Sequence, residues 1–307
     1  MDIREIEIFR AVMQAGSTSK AASLLDISQP AVSQSIKKFE AASGLRLFDR
    51  VRGRLVPTLE AQALLVEVDL YFTGLENLRH RIKSLKRYGV QRLAVAAYPA
   101  LGTGFMARSI GSFDPLKRGI SMSLQIMSSR EVHQRVSVGR ADFGLMADEL
   151  AVGGMESSVF MSEPGVIVMA KDHPLSTRKS ISPQDLGSWP FIALNPEDAA
   201  RERLDNAMAQ AGITLEPTVE TIFSHSICEL ALCGVGIGMS NPIVAYDYAA
   251  RGLVIRPFSI EVPFKCLLIF RAGRGLSENA RDLLKTMRMQ MADDLGRLSR
   301  LLKSRAG

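Results

Sequence analysis

Ser17-Thr-Ser-Lys-Ala-Ala-Ser-Leu-Leu-Asp-Ile-Ser-Gln-Pro-Ala-Val-Ser-Gln-Ser-Ile-Lys-Lys-Phe-Glu40 decides how the N-terminal part folds. It holds two short helical patterns around a tight turn. The first places Ala21, Ala22 and Leu25 on one face, with Ser17 or Thr18 able to cap its start. The second opens with Ser28 as N-cap and carries Pro30 in its first turn, where a missing N–H is harmless. Ala31, Val32, Ile36 and Phe39 follow at helical spacing, and Gln29, Ser33, Gln34, Lys37 and Lys38 fall on the other face. Small residues at the crossing of two short helices describe a helix-turn-helix. In that motif the second helix enters a DNA major groove. Gln29, Ser33 and Gln34 can then bond base edges, and Lys37 and Lys38 can reach phosphates. An ordinary helical hairpin with a solvated polar face has the same pattern.

The flanks favour the DNA reading. Asp2 to Ala15 forms a preceding helix with Ile3, Ile6, Phe9, Val12 and Met13 on its inner face, and Gly16 ends it. Leu45 to Thr58 reads as a two-stranded wing whose tip holds Gly53 among Arg50, Arg52 and Arg54. Arginines on such a tip suit phosphate or a minor groove.

Phe9-Arg10-Ala11-Val12, Ala21-Ala22, Gln29-Pro30-Ala31-Val32-Ser33, Leu47-Phe48-Asp49-Arg50 and Pro57-Thr58-Leu59-Glu60-Ala61 together resemble the N-terminal domain of the LysR-type transcriptional regulators. The likeness covers nearly all of residues 1–60. Glu60-Ala61 departs from it, since the family usually has a small residue and Gly there. The resemblance implies double-stranded operator DNA as a partner and RNA polymerase as a further one. The candidate DNA contacts are then Ser28, Gln29, Pro30, Ser33, Gln34 and Lys37 from the second helix, with Arg50, Arg52 and Arg54 from the wing.

Composition agrees with this class without fixing it. A length of 307 residues suits two or three domains, and 47% hydrophobic content supplies real cores. The net charge of +6 suits a polyanion only weakly. The N-terminus, with Arg4, Glu5 and Glu7, reads as an amphipathic helix and not as a signal peptide. No apolar run is long enough to span a membrane. Cys228, Cys233 and Cys266 lack CxxC spacing and read as buried thiols of a cytoplasmic protein.

From Thr58 a long helix runs to about Tyr88, closed by Gly89. Leu64, Val68, Tyr71, Leu75, Leu78, Ile82 and Leu85 follow one another at alternating four- and three-residue steps, a heptad seam suited to a second helix. The family uses this segment as its dimer linker. The expected organisation is a DNA-binding domain over 1–58, a linker over 59–89, and an effector domain over 90–307. Homodimer and homotetramer both remain open.

From Gln91 strands and helices alternate. Strands are expected at 93–97, 122–127, 141–146, 166–169, 191–194, 218–222, 236–239 and 266–270. The order implies parallel sheets. A crossing near 162–165 divides two lobes, the first covering about 90–162 and 265–307, the second about 163–264. This resembles the α/β two-lobed fold of periplasmic binding proteins, as in the family's effector domain. Gly139-Arg140-Ala141-Asp142 and Gly234-Val235-Gly236-Ile237-Gly238 are its most telling local motifs.

The glycine run is not GxGxxG and leads into a strand, so it reads as a tight turn rather than a nucleotide loop. Ser224-His225-Ser226 lacks a placed Asp, and the four histidines are scattered. No enzyme, metal or cofactor is therefore expected. Ligands of open α/β sheets sit beyond the strands' carboxyl ends. That selects Tyr98, Pro99, Ala100, Ser128, Ser129, Met146 and Ala147 from the first lobe. From the second it selects Leu194, Asn195, Ser224, His225, Ser226, Ser240 and Asn241. Ser129 and Ser226 are expected to begin helices and to seat an anion between the lobes.

Tyr98-Pro99-Ala100-Leu101, Ser128-Ser129, Ser224-His225-Ser226 and Arg256-Pro257-Phe258-Ser259-Ile260 are similar to the opine-responsive members of the family, as are Phe9 to Met13 and Glu67-Val68-Asp69. That implies a small anionic effector derived from an amino acid. The alternative is a small-molecule-binding protein of the periplasmic type without DNA regulation.

Overall fold

The computed structural model describes residues 2–51, 54–88 and 92–304. The chain divides into two compact units, Met1–Lys83 and Ser84–Gly307. Among the described residues no helix is long and apolar enough to cross a membrane.

In the first unit α1 spans Ile3–Ala15, α2 Thr18–Leu25 and α3 Gln29–Ser43. The predicted caps hold: Ser17 accepts from the Lys20 N–H at 3.3 Å and Ser28 from the Ala31 N–H at 3.4 Å. Strands β1 (Phe48–Val51) and β2 (Arg54–Pro57) pair antiparallel, Phe48 opposite Pro57. Helix α4 then runs Leu59–Tyr88, with the Thr58 hydroxyl accepting from the Ala61 N–H at 3.2 Å. The core centres on Phe9, whose ring lies 5.5 Å from Phe39 and 6.0 Å from Phe48. Ala21 and Ala22 are buried beside Val32 and Ile36, so small side chains let α2 close on its neighbours.

Three expectations need correction here. Ile3 is 57% exposed, because the core of α1 is built by Ile8, Phe9, Ala11 and Val12 one turn further in. Ala31 is exposed on the outer side of α3. Val68 is buried, and Leu64 packs with Leu65 and Phe72 against the same core. The first half of the supposed seam therefore serves its own domain. Only the part from Tyr71 onward is exposed apolar surface, at Tyr71, Leu78 and Ile82.

The second unit begins with β3 (Arg92–Ala97), α5 (Pro99–Gly102), α6 (Gly104–Phe113), β4 (Ser121–Ile126), α7 (Ser129–Ser137), β5 (Phe143–Ala147) and β6 (Met155–Pro164). The second lobe holds β7 (Val166–Met169), α8 (Pro183–Gly187), β8 (Phe191–Leu194), α9 (Ala199–Gln210), β9 (Pro217–Thr221), α10 (Ser224–Leu232), β10 (Ile237–Ser240), α11 (Pro242–Tyr248) and β11 (Val254–Pro257). Strand β12 (Pro263–Arg271) returns to the first lobe, and α12 (Glu278–Ser304) ends the fold. Each lobe carries a five-stranded sheet, in the orders β4-β3-β5-β12-β6 and β11-β7-β10-β8-β9.

The sheets are mixed, not parallel throughout. β12 runs antiparallel to β5 and β6, and β7 runs antiparallel to β10 and β11. Returning strands reverse direction wherever the chain crosses between lobes. Strands β6 and β11 and helix α11 were not legible in the sequence. Glu156, Ser157 and Ser158 are exposed on an edge strand, so β6 shows little apolar periodicity. β11 is four residues ending in Pro.

The two glycine motifs have structural roles. The Asp142 carboxylate accepts from the Ala94 N–H at 2.8 Å and ties the start of β5 to β3. A Cβ on Gly236 would stand 2.2 Å from the Pro190 carbonyl oxygen, and one on Gly238 2.5 Å from Ile227. The run is thus close backbone packing of β10 on β8 and α10.

Cys228 and Cys266 are buried, but Cys233, at the C-terminal end of α10, is exposed. Burial pushes the Cys228 thiol up to about 12 and raises Cys266 as well.

Candidate functional site

On the first unit the polar face of α3 is open. Ser28, Gln29, Pro30, Gln34, Lys37 and Lys38 are exposed and Ser33 is half-buried. Gln29 is already positioned: its Nε2 donates to the Ser33 hydroxyl at 2.9 Å and to the Thr18 hydroxyl at 3.2 Å. This bond joins the starts of α2 and α3. A side chain held before binding loses less entropy on contact. The sequence pattern marks Thr18 only as a cap. Its place at the turn, eleven residues before Gln29, gave no periodic signal.

Arg52 and Gly53 lie outside the described residues, as do Gly89, Gln91 and the side chains of Arg50, Arg54 and Leu85. The base of the wing is well defined. Glu40 Oε1, on α3, accepts from the backbone N–H of Leu47 at 2.8 Å and of Phe48 at 3.2 Å. Both residues are buried, so one carboxylate oxygen fixes the wing to the recognition helix. Glu40→Ala would strand two buried donors, at about 1–3 kcal/mol each. Glu40→Gln keeps the accepting oxygen and should retain most of the stability. Chemical denaturation of both variants reads the difference, and equal losses would refute the role of Oε1.

The second unit contains a cavity of about 460 Å³ between its lobes. Tyr98, Pro99, Ala100, Ser128, Ser129 and Asn195 line it as the strand-end rule selects, together with Ala147, Leu194, Ser224 and Asn241. Met146, His225, Ser226 and Ser240 are not in its lining. Met146 is wholly buried in the core behind β5. The Ser240 hydroxyl is buried and donates to the Asn241 carbonyl at 3.3 Å. His225 Nε2 meets the Thr103 hydroxyl at 2.7 Å, joining α10 of one lobe to the α5–α6 corner of the other. Burial lowers the pKa of this imidazole.

The anion seat between Ser129 and Ser226 is not formed. Ser128 caps α7, because its hydroxyl accepts from the Glu131 N–H while the Glu131 carboxylate accepts from the Ser128 N–H at 3.0 Å. Ser129 turns inward and accepts from the Ala147 N–H at 3.2 Å. Helix α10 begins at Ser224, which places Ser226 within its first turn.

Charged residues missed in the sequence dominate the cavity: Asp148, Glu149, Glu197 and Asp198, with Arg130 and Lys265. Asp148 is ion-paired to Arg203 of the other lobe. Asp198 caps α9, accepting from the Ala200 N–H at 2.8 Å and the Arg201 N–H at 3.2 Å, both at Oδ1. Burial raises the pKa of Asp198 in spite of these bonds. Desolvation by its cavity surroundings also raises Glu149, although the residue as a whole is exposed and the Ser129 hydroxyl bonds that carboxylate. Asp148 and Glu149 follow directly after β5, so reading two residues further past the strand end would have found them.

Residues 3–62 match the bacterial regulatory helix-turn-helix protein, lysR family, and residues 87–292 match the LysR substrate binding domain. The chain is 36% identical over 269 residues to the transcriptional activator protein LysR of Escherichia coli (strain K12), covering 88% of this chain and 86% of that protein. It is 32% identical over 290 residues to the octopine catabolism/uptake operon regulatory protein OccR of Rhizobium meliloti, covering 93% and 94%. The crystal structure of full-length CbnR with its target DNA shares the fold, at a TM-score of 0.66, 19% identity, and 94% and 100% coverage. An N-terminal helix-turn-helix followed by a two-lobed ligand domain, matched along both parts, places this chain in the family of LysR-type DNA-binding transcriptional regulators.

Proposed function

We propose that residues 1–58 read an operator, residues 59–89 join two subunits, and residues 90–307 sense a small amino-acid derivative, acting in the cytoplasm. The observation that carries this reading is the open face of α3, on which Gln29 is held by Thr18 and Ser33. Gln29 and Gln34 contact bases, Lys37 contacts phosphate, and Arg50, Arg52 and Arg54 grip the backbone beside them. The opine class is suggested by the octopine-operon name of the Rhizobium meliloti relative. Ligand in the cavity shifts the population of lobe and subunit arrangements, and so the spacing or bend of the bound DNA.

Gln29→Ala should relax sequence preference by about 1–3 kcal/mol, the discrimination carried by one good base contact. Lys37→Ala should weaken binding to all sequences and reduce its salt dependence, as loss of a phosphate contact does. Titration of the operator and a scrambled duplex at several salt concentrations separates the two. Equal weakening of both duplexes by Gln29→Ala would remove its base-reading role. Absence of any DNA binding by the wild-type chain would leave the small-molecule-binding alternative.

A further inference from the structure

The cavity's charge is unusual for a site meant for a simple anion. Asp148 is ion-paired to Arg203, whose charge also reaches Asp198, but neither Glu149 of the first lobe nor Asp198 of the second forms an ion pair among the described residues. Asp198 spends Oδ1 on the start of α9, which leaves Oδ2 for a ligand. The two carboxylates feel each other's charge, and burial disfavours the ionised form of both. A second observation points to a ligand at the same place. Tyr98 lines the cavity, is only 9% exposed, and the one group set against its buried hydroxyl among the described residues is the Cys266 thiol, too far for a regular hydrogen bond. Burial first, then Cys266, and lastly the charges of Glu149 and Asp198 raise the pKa of that hydroxyl, which keeps it neutral. A thiol is a weak partner for a buried hydroxyl, and a bound group that donates to this one would satisfy it. Arg130 and Lys265 supply positive charge to the same lining.

Resting on the reading of this cleft as the effector site, we propose that it selects a zwitterion whose ammonium or guanidinium end is held by Glu149 and Asp198, with the Tyr98 oxygen as a further acceptor, and whose carboxylate faces Arg130 and Lys265. The two carboxylates come from opposite lobes. A cation between them replaces their mutual repulsion by attraction to both, and so favours the closed arrangement through differential affinity. A dicarboxylate would add to that repulsion.

The test is calorimetric titration of the full-length chain with octopine, L-arginine and L-lysine. L-citrulline and L-norleucine serve as neutral isosteres and glutarate as the dicarboxylate. At least one cation-bearing probe should bind, and should exceed its neutral isostere by about tenfold or more, the value of a charge-assisted hydrogen bond. Glu149→Gln and Asp198→Asn should each weaken that probe by about tenfold or more and leave the isostere's affinity unchanged. Asn is as good an N-cap as Asp, so α9 keeps its start. Glu149→Gln removes a charge that its surroundings disfavour, so the ligand-free melting temperature should not fall. Isosteres binding as tightly as their cationic partners, or no binding by any cationic probe, would overturn the proposal. Glutarate bound alone, and lost on Arg130→Ala, would overturn the charge assignment but keep the cleft as the effector site. A cationic probe bound equally by wild type and both variants would place the ligand elsewhere and remove both readings.

Discussion

Replacing Leu78 and Ile82 together with aspartate should leave a folded monomer whose operator affinity is lower by about two orders of magnitude or more. Ala61, Val68 and the half-buried Leu64, Leu65 and Phe72 turn toward the core of the first unit. Arg10 on α1 adds a bond to Asp69 at 2.6 Å and lies 4.9 Å from the centre of the Phe72 ring. Beyond Phe72 the helix loses that partner surface. Tyr71, which points away from that core, Leu78 and Ile82 are 41%, 56% and 46% exposed along one face. Large apolar side chains repeated on one face of a charged helix call for a second helix. In the single chain they already face water, so each aspartate changes monomer stability by no more than about 0.5 kcal/mol, about 1 kcal/mol for the pair. In a paired helix the same charges would be buried without partners. Loss of pairing removes bivalent engagement of two half-sites, which contributes about 10²–10⁴ in apparent affinity. Sedimentation of the double variant, followed by titration with operator DNA, reads both steps. A variant that still dimerised through α4 would remove the seam argument. A monomer with undiminished operator affinity would remove the link between pairing and DNA binding.

The sequence carried the first unit almost completely, and the reason is local. Caps, a Pro in a first turn and alanines at a crossing are signals within a few residues of one another. Ser17, Ser28, Pro30, Ala21 and Ala22 all occupy the places they announce. Long-range bonds gave no such signal. Glu40 reaching Leu47 and Phe48, and Gln29 reaching Thr18, depend on how elements pack. The same division runs through the ligand cleft. The strand-end rule found its backbone outline because that outline follows from sheet topology. It stopped two residues short of Glu149, and it missed Asp198, the cap of α9, because side-chain convergence between lobes has no fixed spacing. The rule also selected Ser240 and Met146, whose side chains turn into the cores of their lobes. Ser128 and Ser129 show how fine the margin is. The Ser-x-x-Glu box from 128 to 131 was present in the sequence, and it assigns the cap to the first serine, freeing the second to face Ala147.

Arg108→Ala should destabilise the effector domain by about 3 kcal/mol. Arg108 stands on α6 and sends Nη2 to Asp294 Oδ2 at 2.7 Å and Nε to the same oxygen at 3.0 Å. Asp294, on α12, is only 1% exposed, and its other oxygen accepts from Gln290 Nε2 at 2.9 Å. Removing the guanidinium leaves this carboxylate buried with a single neutral donor. Breaking a buried pair by deleting one partner costs about 3–5 kcal/mol, and the lower end applies because Arg108 keeps some solvent contact. The third bond, from Nη1 to Asp247 Oδ1 at 2.5 Å, joins α6 to α11 of the second lobe. Burial raises the pKa of Asp247 even with Arg108 beside it, so desolvation outweighs the attraction there. Asp247→Asn should accordingly cost much less than Arg108→Ala. For a domain of this size 3 kcal/mol corresponds to a fall of roughly 6–12 °C in melting temperature. Replacing both members, as Arg108→Met with Asp294→Met, should recover most of the loss, since apolar substitutes for a whole buried pair are often neutral. Differential scanning calorimetry of the single and double variants decides the matter. A single variant melting within about 2 °C of wild type, or a double variant no more stable than the single, would show that Asp294 is not held by Arg108.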